Sequence, residues 1–392
     1  MIRRNSGRWA ALLAVLALAA CNSASETNPT AGQPTPTATS VTTAPLIVRP
    51  GALFYTKAGS LYVSEPAGTP GRKLTDGPAD TQPAPSPDLS HVAFVRKTTA
   101  ADYGGELWVL DLSPQLAPVG APRRLVDPAA LPSGPGRSPA TVIRPRWSPT
   151  GQHVAFVDNR NDGMVDGGVL VIADADTGAV VPAQQPPFAD SEFAWAPDGR
   201  HIAWTEARSD VSPVTINVLA VDGGSVPVAA DTNVFSVTYG KDGRTILFAN
   251  GDASGPDFTA IPFAVRVGGI YSVAVPGGAD TKSPARPTPL FTRKGSYFSD
   301  VTAVESGAVA FTAQGADGSS KTIEVIDEGS SIPRTTVTDV AANAQGPAWG
   351  AGSFVAYVDT SPESSLMVTD LDNRSPRNVD TAVDAFAWPP AR

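Results

Sequence analysis

Trp195-Ala196-Pro197-Asp198-Gly199-Arg200-His201-Ile202-Ala203-Trp204 decides the fold, and Trp147-Ser148-Pro149-Thr150-Gly151-Gln152-His153-Val154-Ala155-Phe156 repeats it. In both, a Pro that presets φ and a Gly that accepts positive φ separate an aromatic landmark from an apolar run. That is the chemistry of a tight turn joining two strands. The run, with an aromatic in third place, recurs as Val92-Ala93-Phe94, Ile246-Leu247-Phe248, Val309-Ala310-Phe311, Val355-Ala356-Tyr357 and Ala52-Leu53-Phe54. From Phe54 to Tyr357, successive aromatics lie 40 to 63 residues apart, the spacing of propeller blades with loop insertions. Eight or nine residues upstream of these aromatics stand Pro85, Trp147, Trp195, Tyr239, Ala303 and Trp349.

Each copy leads into a third apolar run closed by an acid or turn, such as Leu107 to Asp111 and Leu366 to Asp370, and then a shorter fourth, such as Val226 to Val228. The unit is four antiparallel strands in about 45 residues, and the chain after residue 45 is all-β. The ends complement each other. Residues 52–77 supply three strands, and the chain finishes on Val383-Asp384-Ala385-Phe386-Ala387-Trp388-Pro389, a first-strand phrase with nothing following. Pairing the two closes a ring and covers a strand edge that would otherwise invite aggregation. The expectation is a β-propeller of seven four-stranded blades closed by its terminal strands, or six if the weak unit around Ala303 does not form.

The quoted stretches resemble the repeat of TolB-like, WD-repeat-like β-propellers, strongly in two units and loosely over the rest of residues 50–392. The resemblance implies an envelope protein that binds other proteins; similar propellers also precede hydrolase domains in prolyl-oligopeptidase-like enzymes. The repeat specifies blade structure and names no ligand.

Residues 1–20 read as a signal peptide: Arg3, Arg4 and Arg8 precede the apolar stretch Trp9 to Ala20, which is too short to span hydrocarbon. Leu18-Ala19-Ala20-Cys21 resembles a bacterial lipobox, which implies lipid attachment at Cys21, the chain's single cysteine, and a place on the outer face of the cell membrane. Residues 21–45, rich in Ser, Thr, Ala and Pro, read as a disordered tether; as a flexible coil 24 residues span about 27 Å. The propeller domain occupies 46–392. One Cys excludes a disulfide framework, and a net charge of −9 argues against nucleic-acid binding. No cofactor or metal is expected, and the propeller is expected to be a monomer.

The search for chemistry leaves few candidates. His91, His153 and His201 share one repeat position, so they read as structural parts of the strand. There is no Gly-x-Ser-x-Gly elbow, and the chain is expected to lack room for a hydrolase domain after its closing strand. Asp158 to Gly163 has calcium-loop spacing, but Arg160 and Val169 fall where ligands belong, so it reads as a hairpin tip. Glu192, Asp300 and Asp384 on innermost strands are candidates for paired carboxylates in the channel, as in glycoside hydrolysis. Arg144 and Arg146 either present positive charge to an anionic ligand there or pair with such acids. The long connections between second and third strands, and between blades, emerge on one face. That face, bearing Tyr103, Arg137, Arg160, Phe188, Phe258 and Phe263, is the expected binding surface. The function expected is a binding or scaffolding module for an envelope protein or glycan, not an enzyme; the alternative is a carbohydrate-active or other hydrolytic propeller using the channel acids.

Overall fold

A computed structural model of the chain describes residues 51–131, 142–159, 168–182, 192–206, 214–251, 267–275, 285–303, 307–315, 320–341, 345–350, 354–360, 363–370 and 376–390. Blade 1 comprises β1 (Leu53–Lys57), β2 (Ser60–Ser64) and β3 (Arg72–Lys73), and blade 2 comprises β4 (Asp80–Pro85), β5 (His91–Arg96), β6 (Glu106–Asp111) and β7 (Arg123–Arg124). Blade 3 follows as β8 (Val142–Trp147), β9 (His153–Asn159), β10 (Gly168–Asp174) and β11 (Val180–Pro182). Blade 4 is β12 (Phe193–Trp195), β13 (His201–Glu206), β14 (Val214–Ala220) and the first half of β15 (Ser225–Tyr239). The second half of β15 opens blade 5, with β16 (Thr245–Gly251), β17 (Val267–Ala274) and β18 (Thr288–Lys294), so the two blades share one continuous strand. Blade 6 is β19 (Ser296–Ala303), β20 (Val309–Gly315), β21 (Ser320–Ile326) and β22 (Arg334–Ala341). Blade 7 is β23 (Gln345–Trp349), β24 (Phe354–Asp359), β25 (Ser365–Asp370) and β26 (Arg377–Asp380), after which β27 (Val383–Ala387) returns to pair with β1.

All pairings are antiparallel, and the fold is a seven-bladed β-propeller. The unit around Ala303 forms a complete blade, so the six-bladed alternative falls. The turns form as their residues dictate. Gly199 has φ +65°, its N–H donates to the Ala196 carbonyl at 2.9 Å, and the Asp198 carboxylate accepts the Arg200 N–H at 2.8 Å.

Among the described residues the core forms seven apolar clusters, one at each junction between adjacent blades. Side-chain alternation makes this possible: along β5, Val92 and Phe94 face blade 1 while Ala93 and Val95 face blade 3. Each fully buried aromatic, Phe94, Phe156, Phe248 or Phe311, contributes about 1.5–3 kcal/mol of burial. The junction between blades 7 and 1, built from Ala356, Val358, Leu366, Leu53, Tyr55 and Trp388, closes the ring.

That closing blade corrects the expected register by one residue. Phe54 pairs with Ala387 and Tyr55 with Phe386, and Tyr55, not Phe54, faces the preceding blade as the other repeat aromatics do. Phe54 points to blade 2 instead. Trp388 thereby takes the place that Trp147 and Trp195 hold in their blades. Two of the three histidines brace neighbouring blades, His91 stacking on Trp147 at 6.0 Å and His153 on Trp195 at 6.4 Å, while His201 Nδ1 lies 2.7 Å from Asp198.

Candidate functional site

Three residues before the landmark on the innermost strands of blades 2 to 6 stand Gln82, Arg144, Glu192, Ser236 and Asp300. Gln82, Arg144 and Asp300 have φ of 49°, 54° and 53°, a region that non-glycine residues seldom occupy. Each is the first of two residues set against a single buried aromatic, where the pairing skips between Thr81 and Ala84, Ile143 and Arg146, and Ser299 and Thr302. These are β-bulges, and they re-aim the side chains of the strand nearest the axis. Pro83 and Pro145 follow two of them; a strand proline is tolerated at a bulge because no ladder N–H is required there. A non-glycine residue held in this conformation costs about 1–3 kcal/mol and persists only where its surroundings enforce it.

The bulged residues are tied from blade to blade. The Arg144 N–H donates to the Gln82 side-chain oxygen, and the Ser236 hydroxyl accepts the Val301 N–H at 2.8 Å. Glu192 holds two guanidiniums: Arg144 Nη1 lies 3.6 Å from Oε1 and Arg146 Nη2 3.2 Å from Oε2. Arg146 also donates to the Phe193 carbonyl, lies 4.9 Å over the Phe193 ring, and accepts the Trp195 indole N–H on its own carbonyl at 3.0 Å. On blade 6, Ser299 Oγ donates to Asp300 at 2.7 Å. Burial first, and then the charges of Asp300 and Glu192, push the Tyr297 phenol up to about 12, so it stays a neutral donor beside two carboxylates.

Arg144, Arg146 and Glu192 are thus brought together, the pairing of the arginines with an acid being the outcome realised, while Asp300 is linked to them only through its charge on Tyr297. Asp384 keeps other company. Burial pushes its carboxyl up while Lys97 and an Ala58 hydrogen bond pull it down. Tyr103 stands apart on the β5–β6 connection, 52% exposed. Cys21, Arg137, Arg160, Phe188, Phe258 and Phe263 lie outside the described residues. Asp158 is buried at the end of β9, and among the described residues no group of three or more His, Cys, Asp or Glu is placed to hold a metal. Gln82, Ser236 and Tyr297 are the members that sequence reasoning missed. Counting three back from each landmark would have found Gln82 and Ser236; nothing local marks Tyr297.

Two other charged groups belong to the scaffold. Asp80 is fully buried under Arg96, whose Nε and Nη2 lie 2.6 and 2.9 Å from its oxygens, and Thr75 Oγ1 adds a bond of 2.6 Å. Arg293 holds Glu324 in the same two-pronged way at 2.8 and 2.7 Å.

No family model matches the chain, and no curated protein matches it. Solved structures do. TolB from Acinetobacter baumannii is 17% identical with a TM-score of 0.50, over 78% of this chain and 68% of TolB. A functionally unknown protein from Desulfotomaculum acetoxidans is 14% identical with a TM-score of 0.55, over 87% of this chain and all of the other. Puromycin hydrolase is 14% identical with a TM-score of 0.57, over 86% of this chain, which spans about half (54%) of the hydrolase. At such identities the likeness speaks for architecture. Among the described residues no helix is long and apolar enough to cross a membrane. The chain therefore has a seven-bladed β-propeller fold, similar in architecture to TolB and to other β-propeller proteins.

Proposed function

We propose that the protein is a lipid-anchored, extracytoplasmic binding module that takes a protein or another envelope ligand on its loop face. Arg144, Arg146, Glu192, Tyr297 and Asp300 form the polar floor of that face. The observation that carries this reading is the engagement of the site's acids: Glu192 already holds two guanidiniums and Asp300 a hydroxyl. Fixed, mutually satisfied charge of this kind suits recognition, in which a partner's polar groups exchange for existing bonds. Variable loops on a rigid ring supply the surrounding contact area.

The test is photo-crosslinking in intact cells with a reactive side chain at Tyr103 on the loop face or at Ile332, an exposed residue (78%) in the β21–β22 turn on the opposite face. Discrete adducts at Tyr103, lost in Arg144→Ala/Arg146→Ala, support the reading. Equal adducts at both positions, or adducts indifferent to the double variant, reject it. The hydrolytic alternative has one favouring observation, a carboxyl on β27 held partly toward its protonated form, as a general acid needs to be. Turnover of envelope glycans abolished by Asp384→Asn would establish it.

A further inference from the structure

The rim carries an asymmetry that blade construction does not require. In every blade, one outer-strand residue pairs with the third-strand residue lying opposite the middle residue of the second-strand repeat. Through blades 1 to 7 it is Arg72, Arg123, Val181, Val226, Thr288, Arg334 and Arg377. The four arginines occupy blades 6, 7, 1 and 2, which are contiguous across the ring closure, and Lys73 and Arg124 extend the arc on β3 and β7. The opposite arc shows solvent Val181, Val226 and Thr288. Basic residues on outer strands commonly block edge-to-edge pairing, but that need applies to all seven edges alike and leaves the one-sidedness unexplained.

The four outer strands of the arc carry six cations against two acids, Asp339 and Asp380, within a chain of net charge −9. Three of its six cations meet acids: Lys73 with Asp76 at 2.9 Å, Arg124 with Glu106 at 3.2 Å and Arg334 with Asp327 at 2.9 Å. Arg72 gives one N–H to the Gln115 carbonyl at 2.8 Å and, like Arg123 and Arg377, is exposed. Each arginine opens or lies near the start of its outer strand. Because strands alternate in direction, that end shares a face with the first-to-second-strand turns and with the start of β1.

We propose that the rim of blades 6, 7, 1 and 2 docks on anionic phospholipid headgroups, laying the propeller against the membrane with its loop face turned away. The orientation rests on the lipid-anchor reading; the headgroup contact does not. Cations near an anionic surface each favour binding about fivefold, while the acidic remainder of the domain is repelled, so only this arc approaches.

The test uses the full chain carrying Cys21→Ser, sedimented with vesicles of phosphatidylcholine alone or mixed with phosphatidylglycerol. Arg72→Glu/Arg123→Glu/Arg377→Glu in the same chain is the comparison, so residues 1–20 contribute equally to both. Salt-sensitive preference for the anionic vesicles, reduced on the order of 100-fold by the triple variant at unchanged thermal stability, supports the proposal. Equal binding to both vesicle types, or no effect of the triple variant, overturns it. Retention on soluble heparin without vesicle preference also overturns it, assigning the arc to a polyanionic polymer. Mass analysis of the N-terminal peptide of the wild-type protein reports the anchor separately, so failure of one reading is distinguishable from failure of the other.

Discussion

Ring closure rests on Trp388, and Trp388→Ala is the sharpest test of it. The indole is 8% exposed in the cluster between blades 7 and 1, and its N–H donates to the Ala348 carbonyl at 2.9 Å. One edge of the ring lies against Gly350, where an added Cβ would come within 2.8 Å of it. Truncating so large a buried side chain costs about 3–5 kcal/mol, including the carbonyl left without its donor. If β27 opens locally from the closed ring, a loss of about 3 kcal/mol raises the open population roughly 100-fold. Hydrogen exchange read by mass spectrometry should show this acceleration in Val383–Ala387 and its partner strand Leu53–Lys57 together. Trp388→Phe, which keeps most of the bulk, should lie between the variant and wild type. Acceleration under threefold, or confined to residues beyond 387, would mean that β27 does not hold the ring shut.

Other perturbations test other levels of the structure. Gly178→Ala places a methyl 1.8 Å from the Leu125 carbonyl at φ +70° and should cost about 2–4 kcal/mol. Gly223→Ala, at φ +109° with nothing within 4 Å, should cost only about 1 kcal/mol in the same thermal melts. Arg96→Met leaves the buried Asp80 carboxylate without its cation and should cost about 3–5 kcal/mol by denaturant titration; a loss under 1 kcal/mol would show that Thr75 suffices. Burial works against ionisation of the turn carboxylates Asp88, Asp198 and Asp242, but their hydrogen bonds outweigh it: Asp88 falls to about 2 and the others are also lowered. A carboxyl lowered on folding stabilises fully above its unfolded value of 3.8 and less as pH falls toward 2, so Asp88→Asn/Asp198→Asn/Asp242→Asn should flatten the acid limb of a stability profile. An unchanged slope between pH 4 and 2 would place acid sensitivity elsewhere.

Much of the scaffold was legible because turn chemistry is local. Pro197-Asp198-Gly199 and Pro149-Thr150-Gly151 specify their hairpins almost unaided, and the alternating runs after them state which side chains enter a core. The same locality leaves blade 1 one residue out of step in the sequence pattern. Ala52-Leu53-Phe54 and Leu53-Phe54-Tyr55 satisfy the local pattern equally well, and only pairing with β27, more than 300 residues away, selects the second. The site was less legible still. Arg144, Arg146, Glu192 and Asp300 could be named as inner-strand charges, but whether an arginine faces a ligand or an acid depends on the adjacent blade. Tyr297 carries no signal in its own neighbourhood.

Sequence alone determined the repeat, the four-strand unit and the complementary termini, because each follows from backbone preferences and apolar periodicity within a few tens of residues. Tertiary structure alone decided the register of the closing blade, the bulges that turn Gln82, Arg144 and Asp300 toward their neighbours, and the gathering of rim arginines into one arc. Those depend on which strands become adjacent when the ring closes, and a one-residue slip or a different partner strand would send the same side chains to the opposite face.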